Sequence, residues 1–152
     1  MVEAVERDLF LGPALYRLDY TRWEPVRRAA VSQQLAYADR TWAIQFDGLN
    51  AEDAPGPVTG SPTSSATLPS PVVRTLHAVG LRGGEKVLEI GTGTGYSTAI
   101  LCHRLGDDYV ISIEYDTSLA ATAATHLTAA GYAPTSVRST RTCCSRSNWR
   151  SS

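Results

Sequence analysis

The apolar positions of this chain fall into short blocks whose period changes along its length. Val2, Val5, Leu9 and Phe10 recur at helical spacing and predict a short amphipathic helix over 2–11, broken by Gly12-Pro13. Tyr16, Tyr20 and Trp23 follow in a predicted loop whose aromatics pack the N-terminal segment onto the rest. Pro25 opens a second predicted helix through Val26, Ala29, Ala30, Gln33 and Tyr37 to about Ala38. Trp42-Ala43-Ile44-Gln45-Phe46 predicts a strand and Asp47-Gly48 a turn. Residues 49–66 hold Pro55, Pro57, Pro62, Gly56 and Gly60 among small polar residues, which predicts a loop. A helical period then resumes. Thr67 is placed to cap it, Pro69 lies in its first turn, Val72, Val73, Leu76 and Val79 share a face, and Gly80 ends it.

The centre of the chain is Val87-Leu88-Glu89-Ile90-Gly91-Thr92-Gly93-Thr94-Gly95-Tyr96. It reads as a buried strand, a turn with glycines at alternate positions, and a helix from Tyr96 to Leu105 closed by Gly106. Asp108 to Glu114 is the next strand. A helix capped by Asp116 or Thr117 follows through Leu119, Ala123, Leu127 and Ala130 to Gly131, and Pro134 to Val137 begins a third strand. Strand, glycine turn and helix open a nucleotide-binding βαβ unit, because glycine turns the chain where a Cβ would clash and lets a ligand lie against bare backbone. A dinucleotide fingerprint would be G-x-G-x-x-G, but the sixth position here is Tyr96, and the third glycine comes one residue early at Gly95. Glu114 ends its strand 23 residues after Gly91. A carboxylate there can accept both hydroxyls of a ribose diol.

Composition narrows the setting. A chain of 152 residues with 43% hydrophobic residues is one domain with enough apolar side chains for a core. A net charge of −1 gives no general reason to expect nucleic acid or an anionic membrane as partner. The acidic N-terminus lacks a signal-peptide pattern, and no stretch approaches a membrane span, so a cytoplasmic setting is expected. Cys102, Cys143 and Cys144 form neither a disulfide framework nor a zinc spacing, and no metal site is expected. His77, His103 and His126 all fall on predicted helices and read as surface or edge residues, not a catalytic cluster. From Arg138 to Ser152 the chain holds four Arg, five Ser and two Cys without an acid. This break, in the middle of an expected strand, reads as the product of a frameshift or premature end more than as a basic contact surface.

The run E-x-G-x-G-x-G resembles the cofactor motif of S-adenosylmethionine-dependent methyltransferases with the Rossmann-like fold. From roughly Glu6 to Val137 the chain resembles the protein-L-isoaspartate O-methyltransferase family, and looks closest to its relatives in ribosomal peptide maturation systems. Arg7-Asp8-Leu9-Phe10 is similar to the family's Pro-Arg-His-x-Phe segment, with Asp8 where His is usual. Ala36-Tyr37-Ala38-Asp39-Arg40 matches its Ala-Tyr-x-Asp-x motif, and Pro62 to Ser70 occupies the place of its Ser-x-Pro acceptor loop. Thr67 stands where the family has its active-site Ser and keeps the hydroxyl. The Thr-Ser-Ser-x-x-x-Pro form is what points to the peptide-maturation relatives.

The resemblance implies an α/β, Rossmann-like methyltransferase fold, here an N-terminal helical segment plus an incomplete parallel sheet of about three strands. The expected organisation is a helical segment and acceptor loop over 1–66, a truncated cofactor-binding domain over 67–137, and an atypical basic tail over 138–152. It implies that Glu89, Gly91, Thr92, Gly93, Gly95 and Tyr96 line S-adenosylmethionine, that Glu114 holds its ribose, and that Thr67, Ser64 and Ser65 face the acceptor carboxylate. The expected function is carboxyl O-methylation of an Asp or isoAsp in a protein or precursor peptide, impaired by truncation. One alternative is an inactive remnant acting as a peptide-binding module, and another is an NAD-type oxidoreductase fragment.

Overall fold

The computed structural model describes residues 4–19, 21–31 and 33–138. Two sheets carry the architecture. The first is antiparallel and five-stranded, built from β1 (Ala14–Asp19), β2 (Arg22–Arg27), β3 (Trp42–Phe46), β4 (Leu49–Asn50) and β5 (Pro62–Ala66). The second is parallel and three-stranded, in the order β6 (Val87–Ile90), β7 (Val110–Glu114), β8 (Thr135–Arg138). The helices are α1 (Gln33–Tyr37), α2 (Pro69–Val79), α3 (Tyr96–Leu105) and α4 (Thr117–Ala129).

The parallel half has the expected order of strands and helices, but β6, expected to be buried, has no buried residue, and β7 begins at Val110 after a 3-10 turn over Asp107–Tyr109; the N-terminal half departs further. The expected helix over 2–11 is, within the described residues, a 3-10 turn over Arg7–Phe10. The expected loop and Pro25 helix are a β1–β2 hairpin of six residue pairs, followed by a 3-10 turn and the short α1. Pro25 lies opposite Tyr16 in β2, the outermost strand, where a residue without an N–H does least harm to the ladder. The loop expected over 49–66 contains β4 and β5, and β5 pairs with β3 through Trp42–Ala66, Ala43–Ser65 and Gln45–Ser64 with a bulge. Strand, not helix, is thus the main regular structure of the N-terminal segment. The tail from residue 139 onward lies outside the described residues, and Arg138 is the last residue of β8.

Separate apolar clusters fill the two halves, and one of them packs the N-terminal turn on α3 and α4. Phe10 packs on Tyr96 with ring centroids 5.8 Å apart, in a buried cluster with Val5, Ala99, Ile100 and Leu127. Leu11, Leu15, Ala36, Trp42 and Ala66 fill one side of the antiparallel sheet, and Ala14, Tyr16, Ala43 and Phe46 fill another cluster of that sheet. Val110 packs on Leu101 and Cys102 of α3, with Val87 against them. Leu88 and Ile90, on the opposite pleat of β6, are 57% and 81% exposed. Burial pushes the Cys102 thiol up to about 12, so it stays protonated. No helix among the described residues is long and apolar enough to cross a membrane, and no cluster of metal-ligating side chains occurs among them.

α2 starts one residue later than the sequence suggests, since its N-cap is Leu68, which has no polar side chain. The caps come from a distant segment. Thr41 Oγ1 accepts from the Leu68 N–H at 3.2 Å, and Asp39 accepts from the Ser70 N–H at 2.9 Å and the Ser70 hydroxyl at 2.6 Å. The Ser70 hydroxyl, then the Ser70 N–H, hold the Asp39 carboxyl below its ordinary value. A lowered folded pKa means that Asp39 stabilises the fold above its unfolded pKa of about 4, and that this help is lost as pH falls through the folded value. Melting curves of Asp39→Asn against the parent between pH 7 and pH 3 should therefore converge at the acid end, and a constant gap would show that the charge does not matter.

Candidate functional site

The glycine turn is held open by backbone that only glycine adopts easily. Gly91, Gly93 and Gly95 have φ of 92°, 56° and 89°. A Cβ at Gly91 would meet nothing within 4 Å, so that face is free for a ligand. A Cβ at Gly93 would stand 3.9 Å from Ser64 Oγ and 4.0 Å from the Ser65 carbonyl oxygen, so β5 lies directly across the turn. Gly95 faces inward, where a Cβ would approach Leu127 at 3.3 Å and Ala123 at 3.5 Å.

Between β5 and the turn lies a cleft of about 510 Å³ whose wall includes Ser64, Ser65, Gly91, Gly93 and Glu114. Two groups of sequence-predicted residues, from opposite sheets, thus share one cavity. Glu114 is set by backbone donors. Its Oε2 accepts from the Gly93 N–H at 2.9 Å, and its Oε1 accepts from the N–H groups of Tyr115 at 2.8 Å and Asp116 at 3.0 Å. A carboxylate held this way still has lone-pair capacity for a hydroxyl ligand.

The remaining predicted residues lie around this cavity. Glu89 is turned into a hydroxyl cluster and accepts from Ser97 at 2.5 Å, Ser112 at 2.7 Å and Thr98. Thr92 is buried, with its Oγ1 2.6 Å from Ser112 Oγ, so one hydrogen-bond cluster runs from the glycine turn to Glu89. Tyr96 is 4% exposed and packs in the core, where burial raises its phenol pKa and keeps it protonated. Thr67 is separate from Ser64 and Ser65. It lines a neighbouring groove of about 350 Å³ between α2 and β6, together with Glu89 and Ser97. Of the histidines, His77 and His103 are exposed, while His126 is half-buried with Nδ1 3.1 Å from the Thr94 carbonyl oxygen and its ring edge-on to Phe10.

Several residues of the site have no motif to announce them. Trp23, Thr41, Ala43, Pro62, Thr63 and Leu119 complete the cleft wall. Gln45, 3% exposed, bridges the sheets: it donates to Asp116 Oδ2 at 3.0 Å and accepts from the Thr63 hydroxyl at 2.8 Å. Asp116 also caps α4, accepting from the N–H groups of Ser118 and Leu119. Burial raises its carboxyl, but those N–H groups and the Gln45 amide together bring it below its ordinary value. A lone amide inside the apolar run of β3 was the available signal for Gln45.

A glycine turn between parallel strands, with an acid closing the second strand, defines a Rossmann-like methyltransferase scaffold. The comparisons agree. The sequence model of the family described as Protein-L-isoaspartate(D-aspartate) O-methyltransferase (PCMT) matches residues 19–143. A protein-L-isoaspartate O-methyltransferase of Ignicoccus hospitalis is 40% identical over 110 residues, covering 70% of this chain and 51% of its own length. One from Anaeromyxobacter dehalogenans is 38% identical over 117 residues, covering 77% and 46%. A solved protein-L-isoaspartate O-methyltransferase superposes with a TM-score of 0.58 at 23% identity, over 90% of this chain and 35% of that chain, a likeness of fold. The chain belongs to the protein-L-isoaspartate O-methyltransferase family. It spans about half the length of these curated relatives.

Proposed function

We propose that this chain binds S-adenosylmethionine and directs its methyl group to the side-chain carboxylate of an isoaspartyl or aspartyl residue in a protein or precursor peptide, in the cytoplasm. The observation that carries the reading is the shared cleft, where Ser64 and Ser65 of β5 face Gly91, Gly93 and Glu114. The residues fit the cofactor. Gly91 leaves open space beside the turn, and Glu114 offers a charged acceptor for a ribose diol. Thr92, Gly95 and Tyr96 hold the turn from behind, and Glu89 secures it through the hydroxyl cluster.

The bound cofactor supplies an electrophilic methyl on a sulfonium. With the cofactor held by Gly91, Gly93 and Glu114, an acceptor oxygen oriented by Ser64 and Ser65 would take this methyl, the bonding pair staying on sulfur. A carboxylate with a pKa of about 4 is already ionised near neutral pH, so this chain need not remove a proton. Its work is position and exclusion of water. The hydroxyls of Ser64 and Ser65 can orient the acceptor carboxylate, and Thr67 flanks them from the adjoining groove.

The direct test is calorimetric titration of the purified chain with S-adenosylhomocysteine, with NAD as the competing ligand, followed by transfer of labelled methyl to isoaspartyl and aspartyl peptides. Saturable binding of S-adenosylhomocysteine but not NAD is expected, with label retained preferentially on the isoaspartyl peptide as a base-labile ester. Binding of NAD alone would move the chain to the oxidoreductases. Peptide binding without any nucleoside binding would favour the peptide-binding module.

A further inference from the structure

Arg7 is the largest of the fully buried side chains, 1% exposed, and no carboxylate among the described residues lies within ion-pair distance of it. A buried charge without compensation is costly, and here the compensation comes from backbone. Nη1 donates to the carbonyls of Ala36 at 2.8 Å and Ala38 at 2.9 Å. Nη2 donates to those of Arg40 at 2.8 Å, Thr67 at 3.2 Å and Ala66 at 3.3 Å. The Cζ atom also stands 5.8 Å from the centre of the Tyr96 ring, within range of a cation–π contact. One planar group thus touches three parts of the site: the 36–40 segment that caps α2, the end of acceptor strand β5, and the first residue of α3 after the glycine turn.

We infer that Arg7 is a positioning residue for the acceptor edge: its guanidinium fixes the end of β5, and with it Ser64 and Ser65, against the glycine turn. The inference rests on the acceptor role proposed above for those serines. The geometry needs a fork. The two Nη groups present four N–H donors from two points in one plane, whereas an ammonium presents three from one point, too few and too close together to hold all five carbonyls. Arg7→Lys therefore keeps the charge and loses the clamp, and Arg7→Met loses both.

The first measurement needs no ligand. Hydrogen–deuterium exchange of Arg7→Lys should accelerate tenfold or more in residues 36–41 and 62–68, with β6 and β7 unchanged. An increase spread evenly over the chain would reduce Arg7 to a general stabiliser and overturn the inference. The second is binding. With S-adenosylhomocysteine saturating, an isoaspartyl peptide should bind Arg7→Lys at least tenfold more weakly than the parent, while the affinity for S-adenosylhomocysteine stays within twofold. Equal losses of both ligands, or an unchanged peptide affinity, would overturn it. Should neither variant fold, the parent protein still decides. Its Arg7 guanidinium nitrogen resonances should move when the peptide is added and stay put with S-adenosylhomocysteine alone, and the reverse pattern would sink the inference. A parent that binds no S-adenosylhomocysteine would remove the methyl-transfer reading, and the exchange experiment would still judge the clamp.

Discussion

Glu89→Ala is expected to lower the stability of the chain by about 3–5 kcal/mol, read as the shift of its urea unfolding curve. Glu89 accepts from three hydroxyls, and two of their owners, Thr98 and Ser112, are 0% exposed. A hydrogen bond to a charged group contributes about 1.5–3 kcal/mol, and a buried donor left without an acceptor costs its desolvation as well. The contributions share one carboxylate and will not add fully. The loss is still large beside a domain stability of roughly 5–15 kcal/mol. Glu89→Gln should fall between parent and alanine, because one oxygen still accepts while the amide group presents donors to hydroxyls that must turn around. The position sits in the family's cofactor motif, so the competing expectation is that Glu89 touches the ligand. An unfolding curve that coincides with the parent's, combined with lost S-adenosylhomocysteine affinity, would establish that expectation in its place.

Glu114→Ala should show the opposite pattern, with a modest change in stability and a fall of at least a hundredfold in S-adenosylhomocysteine affinity. The N–H groups it releases belong to Gly93, Tyr115 and Asp116, at a half-buried to exposed rim where water replaces the lost acceptor. A ribose diol has no such substitute. Two charge-assisted hydrogen bonds at about 1.5–3 kcal/mol each correspond to more than two decades in Kd. Glu114→Gln separates charge from shape. It keeps one acceptor oxygen for the backbone but turns a donor toward the hydroxyls, so its affinity should stay close to that of Glu114→Ala. Calorimetry on the two variants decides the point. Affinity within threefold of the parent in both would show that the nucleoside is held elsewhere.

The parallel half of the molecule was legible because each boundary there is a local demand. Gly91, Gly93, Gly95 and Gly106 all sit at positive φ, and Gly106 ends α3 where the sequence places its end. Alternation in Val110 to Glu114 and the Asp116 cap follow the same local logic. The N-terminal half obeys partners far away in sequence. Pro62-Thr63-Ser64-Ser65-Ala66 has only Thr63 to favour a strand, and it becomes β5 because β3 offers it a ladder. Pro25 signals a helix start locally, yet takes an edge-strand position once β1 is beside it. The site divides in the same way. Its glycines and Glu114 could be picked out one by one, but that Glu89 points into a hydroxyl cluster depends on Ser97, Thr98 and Ser112 arriving together. The bridge from Gln45 to Asp116 spans 71 residues and has no local trace.

The Arg7 clamp also sets an order of assembly. Its five carbonyl acceptors lie 29, 31, 33, 59 and 60 residues along the chain, so each contact closes a long loop before any enthalpy is returned. The β1–β2 hairpin can form from local pairing alone, as can single turns of α3 and α4. The acceptor edge cannot, because it waits for a guanidinium near the start of the chain to find strand ends synthesised some sixty residues later. High contact order of this kind slows folding. During synthesis the nascent chain therefore carries Arg7 solvated and unclamped until residue 67 has left the ribosome, and the interval before that closure is when it is most exposed to misassembly.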